Sequence, residues 1–260
     1  MIMHLRYTFM QMMSKSIFFG VCLASYIAMS PRLFAAETRN TEAASYVELG
    51  DKMAHEGDFD RAIKTYSIAL QFAPDHAPAY FKRGLARQEA GDLSGAIADF
   101  SRTLEIIPSC AEAYANRAYI HGLLSQSGKA FSDWTSALQI NPRLTTVFYN
   151  RGNFRLNQGD VDGALADFNQ VVQNDHNDAM AYNNRGIAKL VKGDVEGAIG
   201  DFNRAIKIDS RRPEPYANRG LIRLQQGNRA EADRDFARSI ALNPSVKNFI
   251  ERRIVEITQR

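Results

Sequence analysis

The sequence predicts an all-α chain of tandem helix pairs. Three observations carry that prediction: an unbroken 34-residue period, small and aromatic residues at fixed places within it, and a turn signal at its middle and end. Blocks of 34 begin at Ala43, Ala77, Ala111, Thr145, Ala179 and Pro213, with no insertion or deletion. Position 4 is aromatic in every block (Tyr46, Tyr80, Tyr114, Phe148, Tyr182, Tyr216). Position 8 is Gly or Ala, from Gly50 to Gly220, and position 20 is always Ala, from Ala62 to Ala232. Position 24 is aromatic again (Tyr66, Phe100, Trp134, Phe168, Phe202, Phe236).

Each element follows from this pattern. Apolar and small residues recur at helical spacing in both halves of a block. Gly57, Gly91, Gly159, Gly193 and Gly227 end the first helix, and the Asp or Asn that follows each one starts the second by capping or turning it. Small residues at positions 8 and 20 are expected to bring the two helix backbones close. The aromatics at positions 4 and 24 are expected to fill the space toward the next block. Pro74, Pro108, Pro142 and Pro244 close the second helix. His176 and Ser210 stand there in two blocks, a change expected to loosen two junctions without altering the fold.

This pattern resembles the tetratricopeptide repeat over residues 43–246. The resemblance implies a right-handed superhelical α-solenoid of six helix pairs: 43–76, 77–110, 111–144, 145–178, 179–212 and 213–246. Residues 247–260 read as a capping helix with Ile250, Ile254 and Ile257 on one face, since the last repeat of a solenoid otherwise exposes its packing surface. Residues 37–42 read as a short flexible lead-in.

One departure from the family pattern is systematic. Leu is usual at position 7, but only Leu49 keeps it; the others are Arg83, Arg117, Arg151, Arg185 and Arg219. Position 23 is Asp99, Asp133, Asp167, Asp201 and Asp235 in the same five repeats, and Thr65 in the first. The co-occurrence predicts bidentate ion pairs, within a repeat or across a junction.

Charge and composition narrow the function. The first 36 residues hold three of the 32 basic side chains and none of the 29 acidic ones, so 29 of each sign remain. A balanced body argues against nucleic-acid binding, which needs a basic excess, and against a polybasic membrane patch. The N-terminus reads as an export signal: Lys15 ends a short basic region, residues 17–29 are apolar, and cleavage is expected near Ala35 or Ala36. That 13-residue run is shorter than the roughly 20 residues of a membrane span, so no span is expected in the mature chain, an uncleaved anchor being the competing reading. Periplasmic placement follows for a Gram-negative source. Cys110 alone remains after cleavage, so the mature chain has no intramolecular disulfide.

No enzyme signature is present. The five histidines lack metal-ligand spacing, the glycines follow the repeat period, and no serine lies in a nucleophile elbow; no catalysis, metal or cofactor is expected. The resemblance instead implies a groove lined by positions 2, 5, 6, 9, 12 and 13 of the first helices. Position 6 gives Glu48, Lys82, Asn116, Asn150, Asn184 and Asn218. Four asparagines at intervals of 34 suit the backbone of an extended peptide, since each amide both donates and accepts. Tyr149, Asn153 and Asn157 share that side in the fourth repeat, flanked by Tyr119 and Asn183. Lys82 is the only groove cation at positions 5 and 6, which disfavours binding of acidic chaperone tails. The expected role is a non-catalytic adaptor holding a segment of an envelope protein. The alternative is an assembly subunit of an envelope, secretion or pilus-type complex that docks, or self-associates, through its convex face or ends.

Overall fold

The computed structural model describes residues 38–259; the expected export signal and its expected cleavage site lie outside the described residues. Within them are thirteen α-helices, one 3-10 turn and no strand. They form two compact units, divided between Ser109 and Cys110.

The first unit contains α1 (38–55), α2 (Phe59–Phe72), α3 (Ala77–Glu89) and α4 (Leu93–Ile106). Residues 38–42, expected as a lead-in, already belong to α1. The second unit contains α5 (Ala111–Leu123), α6 (Ser127–Ile140), α7 (Thr145–Asn157), α8 (Val161–Asn174), α9 (Ala179–Lys192), α10 (Val195–Ile208), α11 (Pro213–Gln225) and α12 (Arg229–Leu242). The turn Pro244–Val246 then leads into α13 (Lys247–Thr258). Each odd-numbered helix through α11 is therefore the first helix of a repeat.

Four of the five predicted caps form, and Asn228 makes no side-chain cap hydrogen bond. Asp58, Asp92, Asp160 and Asp194 each accept a backbone N–H three residues on, between 2.9 and 3.1 Å. The five turn glycines have φ between 80° and 89°. The third repeat has Ser125 at this place with φ 56°, a left-handed conformation that a side chain resists. Ser125→Gly is expected to raise stability by up to about 1 kcal/mol, read as a higher urea midpoint.

Tertiary packing revises the expected role of position 8. The glycine admits an aromatic ring rather than a neighbouring backbone. A Cβ at Gly84, Gly186 or Gly220 would lie 2.7–2.8 Å from a ring carbon of Phe100, Phe202 or Phe236. The position 24 ring thus seats within its own repeat, and also reaches onward: Phe168 packs with Ala188, and Phe202 with Ile222. Position 4 behaves as expected, with Phe148 and Tyr182 against Val171, Val172 and Ala181. The helices ahead of His176 and Ser210 end in register with the others. There Asp175 and Asp209 accept the backbone N–H of Asn177 and Arg211 at 2.8 and 3.1 Å, the same side-chain turn that Asn141 and Asn243 make beside Pro142 and Pro244. Ile250 is buried against Ala217, Leu221 and Phe236, with Ile254 and Ile257 beside it, so α13 covers the last repeat.

Candidate functional site

Two polar systems stand out, one inside each of the last five repeats and one along the first helices of the second unit. The inner system is the predicted Arg–Asp pair. Arg83, Arg117, Arg151, Arg185 and Arg219 each donate Nε and Nη2 to the two carboxylate oxygens of Asp99, Asp133, Asp167, Asp201 and Asp235, all between 2.6 and 3.0 Å. The pairs lie within a repeat and tie its first helix to its second. All five aspartates are buried. Hydrogen bonding to Asp133 and to Asp201 raises the Arg117 and Arg185 pKa above the usual guanidinium value.

Sequence reasoning missed two further partners. Position 11 supplies a second cation to the same carboxylate in four repeats: Arg87, Arg155 and Arg223 at 2.7–2.8 Å and Lys189 at 2.9 Å. The signal was available, because position 11 is basic or His in the five repeats with the Arg–Asp pair and is Met53 in the first. Arg83, Arg185 and Arg219 also donate Nη1 to Ser67, Asn169 and Asn203 of the preceding repeat, at 2.9, 2.9 and 2.5 Å. Each cluster is thus a latch between helices, and in these three cases between repeats. The first repeat replaces the whole set by Leu49, Met53 and Thr65, whose hydroxyl lies 3.2 Å from the Met53 sulfur.

The third repeat has His121 where the others have a permanent cation. Its Nε2 is 4.0 Å from Asp133, and its Nδ1 is 2.9 Å from Gln126 Oε1. Burial holds its pKa below the usual imidazole value, outweighing Gln126 and Asp133, with Lys129 and Arg117 adding to the depression. A depressed folded pKa means that the unfolded chain takes up the proton first. Stability is therefore full above about pH 6.5 and falls as the pH drops through that value toward the lower folded one. His121→Gln is expected to flatten this part of the urea-midpoint profile between pH 7 and 5.

The second system occupies α7, α9 and α11. Asn184 donates to Tyr149 Oη at 3.0 Å and to Asn153 Oδ1 at 2.9 Å. Asn183 donates to Asn184 Oδ1 at 3.1 Å, and Asn218 to Asn183 Oδ1 at 2.9 Å. Five of the predicted site residues therefore form one continuous network on three successive first helices, with no charged side chain bonded to it. The other five lie outside it. Asn150 is half-buried, Asn157 and Tyr119 are exposed, and Asn116 turns to the Glu112 carbonyl of its own helix at 2.8 Å. Lys82 is paired with Asp51, which also accepts from the Tyr66 hydroxyl at 2.8 Å; burial first, and then Asp51, raises the Tyr66 pKa.

A pairing rule explains why the asparagines differ. Position 6 bonds position 9 of the preceding repeat where that residue is polar, as in Lys82 with Asp51 and Asn184 with Asn153. Position 9 is Tyr119 ahead of Asn150 and Ile187 ahead of Asn218, and Asn218 turns to position 5 instead. Among the described residues, no group of three His, Cys, Asp or Glu side chains is placed to hold a metal ion. No described helix is long and apolar enough to cross a membrane.

Family models described as tetratricopeptide repeat match residues 51–121, 149–213 and 213–246. No curated protein matches the chain. Solved structures with the same fold include PilW, described as a widely conserved type IV pilus biogenesis factor: 20% identity over 79% of this chain and 95% of that one, TM-score 0.71. PilF of Pseudomonas aeruginosa is 16% identical over 80% of this chain and 94% of its own, TM-score 0.70. YrrB, described as a TPR protein with an unusual peptide-binding site, is 23% identical over 64% and 85%, TM-score 0.52.

Proposed function

We propose, given that this chain belongs to the tetratricopeptide-repeat family, that it is a non-catalytic interaction module exported to the cell envelope, and that it binds an extended peptide segment of another protein along its first helices. The observation that carries this reading is the uncharged amide network of Tyr149, Asn153, Asn183, Asn184 and Asn218. It spans three repeats of the second unit and is built from uncharged side chains. Within the second unit, Asn116, Asn150, Asn157 and Tyr119 would extend or flank the groove; Lys82 would belong to the first helices of the first unit, taken by itself. YrrB offers a peptide-binding precedent on the same fold.

A second reading, an assembly subunit docking through its outer face or ends, draws on the pilus factor PilW, matched over 95% of its own length. Site-specific photo-crosslinking separates the two. A photoreactive phenylalanine at Asn157 on α7 is expected to capture the partner, while one at the exposed Gln170 on α8 is not. The reverse pattern would replace the groove reading by the assembly reading.

A further inference from the structure

The hydrogen-bond inventory of the amide network is unbalanced. Asn184 spends both N–H hydrogens, on Tyr149 and Asn153, and its carbonyl oxygen accepts from Asn183. The carbonyls of Asn153 and Asn183 are also engaged, which leaves Asn218 Oδ1 as the one amide oxygen of the four without a partner. On the donor side, Asn153 keeps two N–H hydrogens, Asn183 and Asn218 keep one each, and Tyr149, which accepts from Asn184, keeps its hydroxyl hydrogen. Five donor hydrogens therefore await an acceptor, with no positive charge among them. Such a surface fits neutral carbonyl oxygens, which an extended peptide presents on one side at every second residue, roughly 6.6–6.8 Å apart.

A small pocket adjoins this donor surface. It opens between the first turns of α9 and α11, with a volume of about 100 Å³, and is lined by Met180, Asn183, Asn184, Arg212, Glu214 and Pro215. Met180 is 41% exposed although it lies beside the network, and Pro215, which lines the same pocket, is buried. At the rim, Arg212 is 3.8 Å from Asp209, and Glu214 stands alongside. A thioether and a proline ring, with two amides beside them, suit an aliphatic side chain whose own backbone carbonyl is held by the amides.

We infer that the second unit takes an uncharged extended peptide by its carbonyl oxygens, with one aliphatic side chain seated between Met180 and Pro215. This rests on the groove reading and adds what the ligand must be. A charged side chain seated between Met180 and Pro215 would give up its hydration against a thioether and a proline ring, so an aliphatic one is preferred there.

A random nine-residue peptide library, bound to the native chain, Met180→Asp and Asn184→Ala, tests both levels. Asp is compatible with the first turn of α9, and circular dichroism checks that each variant keeps its helix content. The native chain is expected to enrich peptides with Val, Leu, Ile or Met at one position and to deplete Asp, Glu, Lys and Arg next to it. Met180→Asp should bind these peptides about ten- to a hundredfold more weakly and lose the aliphatic preference. Native binding without such a preference, or a preference that survives in Met180→Asp, would overturn the pocket; the groove reading would stand if Asn184→Ala still weakens binding. No binding by the native chain, or binding by Asn184→Ala equal to native, would bring down the groove reading and this inference with it.

Discussion

Asp167→Ala is expected to lower stability by about 3–5 kcal/mol. The aspartate is buried between Arg151 and Arg155, whose side chains are only 15% and 22% exposed. Its loss leaves two guanidinium groups facing each other with no anion between them. The cost comes from the stranded charges more than from the missing bonds, which makes a compensated variant informative. Arg151→Leu, Asp167→Thr and Arg155→Met together copy the set that the first repeat already carries as Leu49, Thr65 and Met53. The triple variant should recover most of the loss, because a buried ion cluster replaced as a whole by neutral side chains costs little. Urea midpoints followed by circular dichroism compare the three chains. A loss below about 1 kcal/mol in Asp167→Ala would mean that the latch is screened like a surface pair.

The second large effect is on binding. Ala at Asn150, Asn184 and Asn218 together should weaken the peptide partner by a hundredfold or more, taking about 1 kcal/mol for each hydrogen-bonding group removed. The fold should hardly change. These side chains are half-buried, their partners Tyr149, Asn153 and Asn183 belong to the same network, and the latches that join the helices do not involve them. Affinity for a library-selected peptide, set beside the urea midpoint, separates the two effects. A fall in stability matching the fall in affinity would recast the asparagines as scaffold.

The fold was legible because each repeat states it again. Six in-phase copies of an aromatic, a small residue, an alanine and a second aromatic leave one arrangement of helices, and the helix boundaries fall where the Gly–Asp steps put them. The Arg–Asp pairs were legible for the same reason, since both positions change together between the first repeat and the other five. Less was legible wherever one position answers to two others. The cation at position 11 was overlooked because Arg, Lys and His read as different residues until the shared carboxylate is seen. The asparagines look equivalent at intervals of 34, yet each bonds according to what the previous repeat holds at positions 5 and 9. Met180 carried no sequence signal, because its importance comes from the pocket that it forms with the next first helix.

The most direct test of the account is a crosslinked capture from the envelope fraction, read by mass spectrometry, comparing the native chain with the Asn150, Asn184 and Asn218 alanine variant. The account predicts that a partner held by the native chain is lost by the variant while helix content is unchanged. The same partner retained by the variant would contradict it, and would assign docking to the outer faces of the helices and to α13.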